Sequence, residues 1–150
     1  MSILTPPAGE DDPLFRFSLI GLVADSLGII AAIWELADDI LYLSEHWSVI
    51  NGGPGEPTYT TSRQFRTLVH PHDQPAFDAA IGRCLETSAG MVEAMIRVRL
   101  KPDDWQWMEA RFRLAQRDES GRASRLMATM VARSEREPGD KPRPAGLAAG

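Results

Sequence analysis

From residue 91 to residue 133 the chain alternates, and that alternation constrains the fold more than any other feature. In residues 91–101, Val92, Ala94, Ile96, Val98 and Leu100 fall on one side, while Glu93, Arg97, Arg99 and Lys101 fall on the other, with Met95 the exception. Successive side chains of a strand point to opposite faces, so a period of two marks a sheet with one buried and one solvated face. After "PDD" the pattern resumes: Met108, Ala110, Phe112 and Leu114 share a face, opposite Glu109, Arg111, Arg113 and Arg117. "DESGR" turns the chain again, and Leu126, Ala128 and Met130 alternate in a last strand. Three such strands joined by short turns form an antiparallel meander whose apolar face needs a cover.

Helices earlier in the chain can supply it. Residues 73–88 carry Ala76, Phe77, Ala80, Ile81, Cys84 and Leu85 at helical spacing, with Asp73 expected to cap the start and Gly90 to follow the end. Residues 62–69 predict a short helix, and Ser44 is expected to cap another over "SEHWSVI". "NGGPGEP", residues 51–57, reads as a flexible loop. Two strands, 29–36 and 40–43, form a hairpin around Ala37, Asp38 and Asp39. Asp12 and Pro13 open an N-terminal helix that runs to about Asp25. The expected organisation is a flexible tail over 1–11, a flanking helix over 12–27, one domain over 28–135 and a disordered tail over 136–150. The fold class is α+β: a five-stranded antiparallel sheet with helices on one face, plus the N-terminal flanking helix.

Charge and composition exclude several roles. A net charge of −5 speaks against a nucleic-acid binder, which carries a basic patch. The apolar stretch 17–34 suggests a membrane span, but Asp25 stands at its centre, where a charge costs about 2.5–3.5 kcal/mol on insertion scales. Gly21, Ser26 and Gly28 interrupt it further, so no membrane segment is expected. A single cysteine, Cys84, forms no internal disulfide and fits a reducing cytoplasm.

The order of elements, with "AAIWEL", "LYLSEHW", "LVHPHD", "IRVRLKPDDWQWMEARFRL" and "DESGRASRLMATMV", resembles the PAS domain of the type with a PAC motif, common in bacterial sensor proteins. The resemblance spans residues 29–133. It implies an antiparallel sheet with small helices packed on one face around a pocket, and a role in sensing or protein–protein signalling rather than catalysis. It also implies pairing into a homodimer, and a histidine kinase or diguanylate cyclase effector acting in trans. The sequence departs from the family in two places. The "KPDDWQW" turn lacks the usual glycine, so Asp103 or Asp104 must take the left-handed conformation. The usual Asp-Ile-Thr ending is replaced by "VARSERE", and no effector sequence follows. A stand-alone module, a degenerate remnant and a fragment all fit that ending.

Candidate chemistry is sparse. His70 and His72 flank Pro71, and a zinc site needs three or four ligands, so the stretch reads as punctuation between helices. Cys84 lies on the apolar stripe of the long helix, whereas light-sensing relatives carry their flavin-reactive cysteine after an asparagine on an earlier helix. That argues against covalent flavin. Haem-binding relatives use a histidine from the long helix, and none follows His72. A small enzyme such as an isomerase would need a buried, perturbed acid, and Glu35, Glu93 and Glu109 each stand beside an arginine or on an exposed face. A ligand pocket, expected between sheet and long helix, would draw on Trp34, Phe77, Ile81, Cys84, Met108, Ala110 and Phe112. It would need about 300 Å³ or more to hold a metabolite. Phe15, Phe17, Leu19 and Leu22 are the expected dimer contacts, because the N-terminal helix is apolar on more than one side. The alternative function is a ligand-free interaction module that only dimerises or docks a partner.

Overall fold

The structure, a computed structural model, describes residues 13–86, 90–101 and 104–134, with side chains described from residue 19 onward. Helix α1 (Pro13–Ser26) leads into strand β1 (Ile30–Glu35), strand β2 (Ile40–Leu43), helix α2 (Glu45–Ile50) and strand β3 (Thr58–Thr60). Helix α3 (Ser62–Arg66) and a 3₁₀ turn (Pro71–Asp73) lead into the long helix α4 (Gln74–Glu86). Strands β4 (Val92–Lys101), β5 (Asp104–Arg117) and β6 (Ala123–Ala132) complete the chain.

These strands form one antiparallel sheet in the order β3-β2-β1-β6-β5-β4. It has six strands where five were expected. The sixth is β3, three residues long, whose Tyr59 pairs with Tyr42 of β2. The two rings meet edge to face at 4.8 Å, so a cross-strand aromatic pair anchors a strand too short to register by periodicity. The two parts of the sheet join in the middle, where β1 pairs with β6 from Ile30↔Met130 to Glu35↔Arg125.

The inward residues of the alternation form the core. Ile96, Val98 and Met108 are wholly buried, and Phe65, Phe77, Ala80 and Cys84 of the helices pack over them. The other face keeps its charges in cross-strand pairs: Glu93 meets Arg111 at 3.4 Å, and Glu35 meets Arg125 at 2.5 Å. Glu109 is bracketed by Arg111 and Arg133. The Arg133 bond first offsets burial and, with Arg111, holds the Glu109 carboxyl below the usual range. Pairs of this kind on a solvated face contribute little each. Trp107, on the same face, is nonetheless buried, with the Arg97 guanidinium 4.7 Å above its ring.

Helix α1 packs on the face of β1 opposite the main core and also touches the start of α2. Its Ala24 meets Ala31 and Ile33, the β1 residues that point away from the main core, together with Tyr42 and Met127. Gly21 lets α1 approach α2: a methyl group there would stand 3.3 Å from Ser44 Cβ and run into the Glu45 carboxylate. Asp25 Oδ1 and His46 Nδ1 lie 3.0 Å apart across the same contact. No helix among the described residues is long and apolar enough to cross a membrane.

Two capping expectations are corrected. Ser44 precedes α2, but its hydroxyl makes no cap bond. It is fully buried and accepts from the Ala31 N–H at 2.8 Å, while Ser44 N–H donates to the Ala31 carbonyl. The demand of a strand-end N–H buried in the core outweighs that of a helix end open to water. Asp73 likewise does not cap α4. Its carboxylate accepts from the Arg97 backbone N–H at 2.8 Å and from Arg97 Nε at 2.9 Å and Nη2 at 3.0 Å. His70 instead caps the 3₁₀ turn that precedes α4, its Nδ1 accepting from His72 N–H at 3.0 Å. The 1–11 and 136–150 tails, Asp12 and the Asp103 turn position fall outside the described residues. Asp104 opens β5, and the sole left-handed non-glycine residue among those described is Asp39.

Candidate ligand cavity

Strand β4 is a sheet edge, and "VHPHD" covers it. Val69 bridges to Val98, His70 N–H donates to the Arg97 carbonyl at 2.9 Å, and Arg99 N–H donates to the Leu68 carbonyl at 2.8 Å. With Asp73 holding Arg97, the stretch satisfies an edge that would otherwise be open to pairing with another chain. The His70 ring rests against Trp105 at 4.6 Å and against His72 at 5.0 Å. Desolvation first, then the neighbouring Arg97 charge, depress the His70 pKa. Among the described residues no group of three or more His, Cys, Asp or Glu side chains could hold a metal ion.

Fixing the edge sets the distance between helices and sheet, and a cavity of about 40 Å³ remains between them. Its floor is Ala32 and Trp34 of β1 with Leu41 and Leu43 of β2. Phe112 of β5 and Leu126, Ala128 and Met130 of β6 extend it. Phe65 of α3 and Phe77 and Ile81 of α4 close the roof, beside Ser62. No polar surface faces the interior. Outside it, a groove of about 490 Å³ runs between α3 and α4 and shares Trp34, Ser62, Phe77 and Ile81 with the cavity. Arg63, Arg66, Asp78 and Gly82 form its rim. Arg66 grips Asp78 with two prongs, Nε at 2.9 Å and Nη2 at 2.7 Å.

Of the expected pocket residues, Trp34, Phe77, Ile81 and Phe112 line this cavity, and Cys84, Met108 and Ala110 do not. All three are buried core residues, 2%, 0% and 1% exposed. Burial pushes the Cys84 thiol pKa up. Among the expected dimer contacts, Leu19 and Leu22 are 52% and 60% exposed on α1, and the side chains of Phe15 and Phe17 lie outside the described residues.

Sequence reasoning missed Asp39. Its Oδ1 accepts from Trp34 Nε1 at 2.8 Å and from the Ser62 N–H at 3.0 Å. One carboxylate thus joins the cavity wall, the β1–β2 turn and the start of α3. Desolvation pushes the Asp39 pKa up, but the bonds from Ser62 and Trp34, with the Arg63 charge, hold it below the usual range. Asp39 sits at φ 50°, a conformation aspartate tolerates, and the Asp-Asp turn was the only signal in the sequence.

A family profile described as "PAS fold" matches residues 40–130, more than half of the chain. The chain belongs to the PAS family. Solved PAS structures share its fold. A sensory box histidine kinase/response regulator from Burkholderia thailandensis is 24% identical, with TM-score 0.59, over 78% of this chain and 83% of that one. The N-terminal domain of a diguanylate cyclase with PAS/PAC sensor from Marinobacter aquaeolei is 19% identical, with TM-score 0.59, over 69% of this chain and 94% of that one. The Cycle PAS-B domain of Drosophila melanogaster, solved with bound ethylene glycol, is 9% identical with TM-score 0.53, over 69% of this chain and 99% of that one. No curated protein matches the chain in sequence.

Proposed function

We propose that this PAS domain is a non-catalytic, cytoplasmic sensory module that takes a small ligand into its apolar cavity and passes the state on through α1. The observation that carries the reading is the cavity itself, apolar throughout and covered by Phe65 of the short helix α3 and by Phe77 and Ile81 of the long helix α4. At about 40 Å³ it is far below the roughly 300 Å³ of a metabolite site, so a larger ligand must also use the groove or part α3 from α4.

Strand β1 is the route outward. Ala32 and Trp34 face the cavity, while Ala31 and Ile33, one residue away, hold Ala24 of α1. A ligand acts only through different affinities for two states, so an occupant that shifts β1 changes how α1 sits. Helix α1 offers Leu19, Leu22 and Val23 to solvent, between 52% and 60% exposed, and Leu27 in the turn after it is 67% exposed. A contiguous apolar stripe of this kind marks an interaction surface. In the proposal it forms a homodimer, which a histidine kinase or diguanylate cyclase reads in trans.

The small cavity volume favours a second reading, a ligand-free interaction module that dimerises through the same helix. Denaturing purified protein and analysing the supernatant by mass spectrometry separates the two. A stoichiometric small molecule supports the sensor. Its consistent absence supports the interaction module.

A further inference from the structure

We propose that the Arg66–Asp78 ion pair is a latch over the mouth of the cavity, and that it parts to admit a ligand that is uncharged and apolar. The inference rests on the ligand-binding reading above and adds how the site opens and which chemical class it takes. Trp34, Ser62, Phe77 and Ile81 line both cavity and groove, so the groove between α3 and α4 is the way in. Arg66 ends α3, Asp78 stands in α4, and both lie at the rim of the groove. Their two-pronged bond, at 2.9 and 2.7 Å, ties the two helices across that entrance.

The other ties leave this pair in control of the opening. Gln74, in the first turn of α4, donates to the Arg66 carbonyl at 3.3 Å and to the Val69 carbonyl at 3.1 Å, which fixes the helix at its start. Asp78 lies one turn further along, on the way to Ile81 and Gly82 of the groove. Among the described residues no further hydrogen bond or ion pair joins α3 to α4. The start of α3 is held to the sheet side, where Asp39 accepts from the Ser62 N–H and from Trp34. Rim and interior both disfavour a charged ligand. Asp78 answers Arg66, and Asp39 faces the Arg63 charge. No polar surface lines the cavity, so a charge carried inside would lose its water and find no partner.

Three probes separate the parts: xenon, benzene and benzoate, titrated while the Trp34 indole N–H resonance is followed by NMR, assigned with Trp34→Phe. An engineered cavity of about 150 Å³ takes benzene, so benzene outgrows the closed cavity of about 40 Å³ and needs the helices parted, whereas xenon is a single atom. The latch side chains are 45% and 49% exposed, so Asp78→Ala leaves the fold intact. Asp78→Ala should tighten benzene by about two- to fivefold, the worth of an ion pair open to water, and leave xenon unchanged. Arg66→Gln should do the same, and the double variant should add nothing more. Benzoate should bind every form more weakly than benzene, by about tenfold or more. A benzene affinity that is absent or indifferent to both changes, or xenon shifted by the same factor as benzene, would overturn the latch while leaving an apolar-ligand cavity standing. Benzoate as tight as benzene would overturn the uncharged class. Binding of neither xenon nor benzene would overturn the latch and the ligand reading together.

Discussion

Asp73→Ala tests how the helical layer is fixed to the sheet. Asp73 and Arg97 are 13% and 23% exposed at the side chain and share three hydrogen bonds, one of them to the backbone of the edge strand. An exposed ion pair contributes up to about 1 kcal/mol, and breaking a buried one costs about 3–5 kcal/mol. This half-buried pair lies between, so Asp73→Ala should cost about 2–3 kcal/mol in urea unfolding. Arg97→Gln keeps the backbone bond and should cost about 1 kcal/mol. The double variant should fall short of the sum by about 1 kcal/mol or more, because the two residues act on each other. A helix cap would behave differently, costing about 0.5–2 kcal/mol whatever stands at position 97. Additive costs, within about 0.3 kcal/mol, would refute the clamp. The pH dependence follows from the same contact. Desolvation raises the Asp73 pKa, but the Arg97 bonds and charge outweigh it, so the folded carboxyl titrates below the unfolded value. Its stabilisation is therefore complete above the unfolded pKa of about 3.9 and lost as pH falls through the folded value. Wild type should lose stability faster than Asp73→Asn in that range.

Ser44→Ala should cost about 1–3 kcal/mol, because it strands the buried Ala31 N–H, and leave the α2 amides protected as before. Leu22→Glu places a charge on the exposed stripe of α1; sedimentation should show a shift to monomer, with unfolding stability within about 0.5 kcal/mol of wild type. A wild-type protein already monomeric at micromolar concentration would remove the dimer from the account. Asp39→Ala should shift the Trp34 indole N–H resonance and lower stability, since two donors lose their acceptor and alanine meets strain at φ 50°.

The meander was legible because its period of two runs through three strands with Met95 as the exception, and Ile96, Val98, Met108 and Phe112 are buried where alternation puts them. The β1–β2 hairpin was legible from two apolar runs around the Ala37-Asp38-Asp39 turn, and α4 from apolar residues at helical spacing. β3 was not: three residues hold no period, although Thr-Tyr-Thr is β-prone. The roles of Ser44 and Asp73 were misread because a polar residue before a helix is also free to bond a distant strand, and nothing local says which partner it meets. The cavity was half legible. Alternation selects the inward residues, but which of them face a void rather than one another depends on how far α3 and α4 stand off the sheet. That spacing is set by Arg97 and "VHPHD", more than twenty residues apart. The groove's Arg63 and Asp78 carry no pattern at all.

In the proposed function, an occupant of the cavity is felt at α1 through one strand, β1. Xenon is a suitable probe, since dry apolar cavities take it up. Amide spectra recorded under xenon, with equal argon pressure as reference, should shift at Ala32, Trp34 and Phe77 and also at Ala31, Ile33 and Ala24. Shifts confined to the cavity lining, with α1 and the outward residues of β1 unmoved, would contradict the account.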